Sequence, residues 1–163
     1  MPKKSAGILW YRFQNFAVEV FLVHPGGPYW IKKNLGAWSI PKGEFDESED
    51  PLHAAKREME EETGIDPDTA SLRPFAFIEL NPVRQKSGKV VFAWAAEGDF
   101  NTSQLRSNTF EMEWPPKSGK KTSFPEIDKG EWFEINIAKE KIVPGQLPFI
   151  IELEELLKKT GKL

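Results

Sequence analysis

Residues 43–65 read Gly-Glu-Phe-Asp-Glu-Ser-Glu-Asp-Pro-Leu-His-Ala-Ala-Lys-Arg-Glu-Met-Glu-Glu-Glu-Thr-Gly-Ile, and no other stretch constrains the chain as tightly. Asp50 followed by Pro51 marks a helix start, and Gly64 marks its stop. Leu52, Ala55 and Met59 form an apolar stripe between them, while His53, Lys56 and Glu60 are expected to meet solvent. Glu58, Glu61 and Glu62 stand at offsets that put them on neighbouring turns of one face. Three like charges so close repel one another, and a positive charge between them removes the conflict. A divalent metal meets that need, and carboxylate oxygens suit Mg²⁺, Mn²⁺ or Ca²⁺ rather than zinc. The plainer reading is a solvated acidic run at Glu60–Glu62, with Arg57 as an ordinary partner of Glu61 worth about 0.2–0.5 kcal/mol.

The remaining composition narrows the field. The chain has 163 residues, the size of one domain, so the expectation is a single domain over 1–163. It contains no cysteine, which excludes disulfides, thiolate chemistry and cysteine zinc sites. Two histidines, His24 and His53, argue against a histidine-built metal centre. A net charge of −3 argues against binding a nucleic-acid polymer, which relies on a positive surface. No apolar run approaches the ~20 residues needed to span a bilayer, so no membrane partner is expected and a cytoplasmic location is the default. Either a monomer or a homodimer fits.

Along the chain, residues 7–13 and 16–24 read as strands. In the second, Phe16, Val18, Val20 and Leu22 share one face and Phe21 and Val23 the other, the pattern of a buried central strand. Residues 72–80, 89–97 and 131–135 read as further strands, and 147–159 as a terminal helix. Residues 102–125, polar and carrying Trp114-Pro-Pro, read as long loops. The mix is α/β, with too few βαβ units for a doubly wound sheet.

The segment from Gly43 to Ile65 resembles the Nudix box, G-x5-E-x7-R-E-U-x-E-E-x-G-U with U apolar. Gly43, Glu49, Arg57, Glu58, Met59, Glu61, Glu62, Gly64 and Ile65 fill its fixed places. The resemblance implies an α/β/α sandwich with a mixed sheet between helices. It also implies Mg²⁺-dependent hydrolysis of a phosphoanhydride bond in a nucleoside diphosphate linked to another group. Glu58, Glu61 and Glu62 would be metal ligands, with Glu58 also the candidate base. Arg57 and Glu49 would form an ion pair holding the helix to its preceding loop. Gly43 would let the backbone turn close to the metal, and the Lys42 carbonyl would be a further ligand. By likeness to MutT-like members, Glu126 in Glu-Ile-Asp-Lys-Gly-Glu-Trp would add a carboxylate, with Glu111, Glu113, Asp128 and Glu131 as competitors.

Trp38-Ser-Ile-Pro-Lys-Gly43 leads directly into the box, similar to dinucleoside polyphosphate and diphosphoinositol polyphosphate hydrolases and some MutT-like triphosphatases. Lys42, with Lys32 and Lys33, is a candidate for phosphate contact, and Tyr29, Trp38 or Trp114 for stacking a base. Surface solvation of the lysines and core packing of the aromatics are the competing readings. Leu80 and Pro82 stand where ADP-ribose and dinucleoside polyphosphate hydrolases usually carry proline and tyrosine. With Ser-Asn-Thr-Phe-Glu-Met-Glu-Trp-Pro-Pro116, the chain looks similar to a bacterial group of MutT-like nucleotide pyrophosphohydrolases. A nucleoside triphosphate is the first expectation for substrate, a dinucleoside polyphosphate the second, and a non-catalytic nucleotide sensor the alternative from another class.

Overall fold

The computed structural model describes residues 3–73 and 76–163. Its centre is β1 (Lys4–Gln14), which is buried along most of its length. β1 pairs antiparallel with β2 (Ala17–Pro25) and, at its start, with β3 (Lys42–Phe45). Its other edge pairs in parallel with β6 (Val90–Glu97), Lys4 opposite Val90 through Tyr11 opposite Glu97. The short strands β4 (Ile78–Glu79) and β5 (Val83–Arg84) lie against β6, and β9 (Ile127–Glu134) lies against β2. Together they make a mixed seven-stranded sheet.

Both faces of that sheet are covered. Successive strand residues point to opposite sides. Leu9, Tyr11, Val18, Val20, Leu22, Val91 and Ala93 therefore pack against one layer, formed by α3 (Ile135–Lys141) and α4 (Leu147–Lys159) with Ala138, Phe149, Ile150 and Leu153. Ile8, Trp10, Phe21, Val23 and Trp94 face the other layer and meet Ala54, Ala55 and Met59 of α1 (Pro51–Thr63). A single helical turn, α2 (Pro67–Ala70), follows α1. The architecture is the expected sandwich of helices around a mixed sheet.

Three expectations need correction. Phe16 is not in a strand. It sits at φ 64° beside Asn15 at φ 51° in the β1–β2 turn, and its ring is fully exposed. Residues 102–125 are not all loop. β7 (Thr109–Glu113) and β8 (Lys121–Pro125) form a separate hairpin in which Phe110 faces Phe124 and Met112 faces Thr122. Its alternation is real but weak, because only one face of a two-stranded ribbon finds cover. The strand over 72–80 reduces to Ile78–Glu79 among the described residues, and Pro74 and Phe75 lie outside them.

Candidate functional site

The glutamate helix begins and ends as its sequence dictates. Asp50 accepts a hydrogen bond from the His53 backbone N–H at 3.1 Å, Pro51 takes the first turn, and Gly64 adopts φ 77° while its N–H returns to the Glu60 carbonyl. Met59 anchors the buried side, with its sulfur 3.3 Å from Trp10 Nε1. Lys56 is not free in solvent. It reaches Asp68 at 3.1 Å and lies over the Phe77 ring.

Arg57 organises the loop in front of the helix. Its Nε and Nη2 donate to the two carboxylate oxygens of Glu49 at 2.7 and 2.8 Å, a bidentate pair. Its Nη1 donates to Glu58 at 2.9 Å and to Glu61 at 3.0 Å. Arg57 is thus the positive charge between Glu58 and Glu61 in this structure. These partners raise the Arg57 pKa further, with Glu49 the largest contributor, while Arg57 holds Glu49 below the usual carboxylate range.

Glu58 stands over the backbone of β3. A methyl group on Gly43 would overlap the Glu58 carboxylate, so this close approach requires a residue without a Cβ. Pairing with β1 fixes β3, with Gly43 opposite Ala6 and Lys42 opposite Gly7. Burial raises the Glu58 pKa, opposed by its bond to Arg57. Glu62 points away from Arg57, toward Lys42. Burial pushes its carboxyl up to about 8, and the Lys42 ammonium and backbone N–H pull it down. The same burial lowers the Lys42 pKa, with nearby Lys89 adding to the effect.

Glu62, Lys42 and Glu126 line a cavity of about 280 Å³. Its other walls are Val23, Pro25, Trp30, Ala37, Ile127 and Val143, with Ser39, Gln85 and Gln146 as polar points. The Glu126 backbone ties this region together: its carbonyl accepts from Gly26 and its N–H donates to Asn108. Gln146 is buried. Its Oε1 accepts from the Ile40 N–H at 3.0 Å, and its Nε2 donates to Ser39 Oγ at 3.2 Å.

Some expected residues lie elsewhere. Trp38 is 1% exposed and packs between His24 and Phe133, with its indole N–H on Asn34, so it offers no stacking face to a ligand. The apolar sheet around it outweighs any ligand role. Tyr29 is exposed and meets Trp114 edge to face at 5.3 Å, joining the 26–36 loop to the β7–β8 hairpin. Lys32 is exposed, and Lys33 lies over the Trp30 ring. Trp30, Gln85 and Gln146 were not singled out as site residues by the sequence. A lone Trp in an irregular stretch and isolated glutamines carry no periodic or motif signal.

Among the described residues, no three acidic or histidine side chains form a ready-made metal cage. The donors nonetheless fit a hard divalent cation. All are oxygens, the half-buried Glu62 carboxyl has the Lys42 ammonium beside it, and Gly43 leaves a cradle that a side chain would fill.

The NUDIX domain family model matches residues 1–153, and the chain belongs to that family. It is 42% identical over 103 residues to the asymmetrical bis(5'-nucleosyl)-tetraphosphatase of Rattus norvegicus, covering 60% of this chain and 66% of that protein. It is 52% identical over 40 residues to the RNA pyrophosphohydrolase of Erythrobacter litoralis, covering 24% of each. The chain therefore spans less than two thirds of the length of these relatives. A Caenorhabditis elegans Ap4A hydrolase, solved as a binary complex, superposes with a TM-score of 0.59 at 23% identity, covering 94% of this chain and 98% of that one. No helix among the described residues is long and apolar enough to cross a membrane.

Proposed function

We propose that this chain is a Mg²⁺-dependent pyrophosphohydrolase that cleaves a phosphoanhydride bond in a nucleoside polyphosphate, with a nucleoside triphosphate as the first substrate class. The observation that carries this reading is the convergence of Glu62, Glu126 and Lys42 on one cavity, beside a Glu58 carboxylate seated over Gly43. Glu58, Glu61, Glu62, Glu126 and the Lys42 carbonyl would hold the metal, with Mn²⁺ a workable substitute. When bound, the metal supplies charge neutralisation for the polyphosphate and activation of the attacking water.

The chain's own groups do the rest. Arg57 and Glu49 fix the approach of the loop to the helix. Glu58 takes the water's proton, a role worth about 10²–10⁴-fold. Lys42 steadies a phosphate oxygen as a point charge. Trp30 offers an apolar wall to the nucleoside, and Tyr29 and Trp114 frame the rim. The reading carries with it a cytoplasmic enzyme that meets free nucleotides.

A second reading has its own support. The rat relative acts, by its name, on a dinucleoside tetraphosphate, and the exposed Tyr29–Trp114 pair provides an aromatic surface for a second nucleoside. A panel of triphosphates, dinucleoside polyphosphates, ADP-ribose, NADH and 5'-triphosphorylated RNA with Mg²⁺, resolved by chromatography, separates the two. Preferential release of pyrophosphate or phosphate from a free triphosphate supports the first reading. Preferential conversion of a dinucleoside tetraphosphate to two mononucleotides supports the second. Glu58→Gln is expected to lower kcat by about 10²-fold or more while leaving the melting profile intact. Full turnover by that variant would remove Glu58 from its role.

A further inference from the structure

His24 has no place in the reading above, yet it is 1% exposed and both its ring nitrogens are engaged. Nε2 lies 2.5 Å from the Lys33 carbonyl oxygen, and Nδ1 lies 2.8 Å from Asp128 Oδ1. A carbonyl only accepts, so Nε2 carries its proton and donates it there. The Asp128 carboxylate likewise only accepts, so Nδ1 donates to it and this second bond fixes the opposite edge of the ring. The two partners belong to different parts of the molecule. Lys33 lies in the 26–36 loop, and Asp128 lies in β9, two residues after Glu126.

The loop's two ends are held by backbone. Gly26 N–H donates to the Glu126 carbonyl at 2.8 Å, and Gly36 and Ala37 donate to Glu140 and Lys141 at 3.0 Å. Between those ends the ties to the body run through side chains: His24 to the Lys33 carbonyl, Trp38 Nε1 to Asn34, and the Tyr29–Trp114 contact at the rim. The Lys33 tie reaches the cavity wall directly. Lys33 N–H donates to the Trp30 carbonyl at 2.9 Å, Trp30 N–H donates to Gly27, and Lys33 Nζ sits 4.8 Å from the centre of the Trp30 ring. One turn of backbone therefore joins the His24 imidazole to Trp30, which lines the cavity.

We propose that His24 is a positioning residue for substrate: by bridging the Lys33 carbonyl and Asp128, it clamps the 26–36 loop to β9 and so fixes Trp30 in the wall of the cavity that Glu62 and Glu126 also line. The inference rests on the cavity being the nucleotide site. Without the clamp, the loop must be ordered at the moment of binding, and binding bears that cost. His24→Leu and Asp128→Ala are each expected to raise KM about 3- to 10-fold, with kcat held within about twofold. Asp128→Ala matters because it cuts the same clamp from a half-buried position and spares the core.

A merely structural role would also lower affinity, so Trp30 supplies the deciding readout. If His24 acts through the indole, Trp30→Ala combined with His24→Leu raises KM no further than Trp30→Ala alone. Effects that multiply, or a loss confined to kcat, overturn the proposal. Amide hydrogen exchange scores the clamp without any turnover. The Trp30 and Lys33 amides are expected to exchange about tenfold faster or more in Asp128→Ala, with protection in α1 and β1 unchanged. Unchanged exchange at those two amides overturns the clamp. A chain that turns over no nucleotide on the panel yet shows the faster exchange refutes the substrate reading and leaves the clamp standing.

Discussion

Gly43 and Glu58 depend on each other. The carboxylate occupies the space where a side chain at position 43 would begin. Backbone strain is not the issue, since position 43 lies in an ordinary strand pairing. Gly43→Ala is therefore expected to displace the Glu58 carboxylate while β3 stays in place. Hydrolysis should fall by about 10²-fold, the cost of a misplaced catalytic group, with a melting temperature near that of the parent. Steady-state kinetics beside a thermal melt checks this, and unchanged activity would mean that Glu58 works from another position. Arg57 tells a related story. Its bidentate hold on Glu49 and its third nitrogen on Glu58 and Glu61 make it a counter-charge, which explains how Glu58 and Glu61 share one helix face.

The helix that carries these residues was readable because every local signal agreed: Asp50 caps, Pro51 starts, Gly64 stops, and Leu52, Ala55 and Met59 face inward. Asp50→Ala is expected to cost about 1 kcal/mol in chemical denaturation, the usual loss for an N-cap. Elements with a single weak signal were not readable. Ile135–Lys141 was missed as a helix because it has seven residues and a run too short to show a period. The β7–β8 hairpin hides behind its charge, and Trp38 looked like a ligand platform because proximity to the box says nothing about burial. The cavity itself was hardest to read. Its walls come from residues 23 through 146, and sequence distance carries no trace of that convergence. The tie between α3 and α4 gives a pH test. Lys139 donates to Glu154 at 2.8 Å and holds its carboxyl below the usual range. A carboxyl depressed by folding stabilises the native state above its unfolded value and loses that contribution as pH falls through its folded one. Below about pH 4.5, the parent should lose up to ~0.2–1 kcal/mol that Lys139→Met never had. Urea titrations at pH 6 and pH 3 measure the difference, and equal pH slopes would discard the tie.

At the scale of the whole molecule, the two cores on either side of the sheet are separate structures sharing one set of strands. Phe149 is fully buried in the core remote from the glutamate helix. Phe149→Ala is expected to cost about 3–5 kcal/mol in unfolding free energy, yet the fraction still folded should keep its kcat. A specific activity that falls in step with the folded fraction fits this. A loss of kcat in fully folded protein would show that the two layers are coupled. The parallel pairing of β1 with β6 has a consequence for synthesis. Val90 follows its partner Lys4 by 86 residues of synthesis, a delay of several seconds at roughly 5–20 residues per second. During that interval the nascent chain displays Ile8, Leu9 and Trp10 on a strand lacking a neighbour on one edge. The acidic helix is already complete, but Glu126 has not yet been translated. This exposure of an unpaired edge thus precedes the assembly of the site, and slowed translation across residues 65–90 should lower the yield of this protein before it touches the quality of what folds.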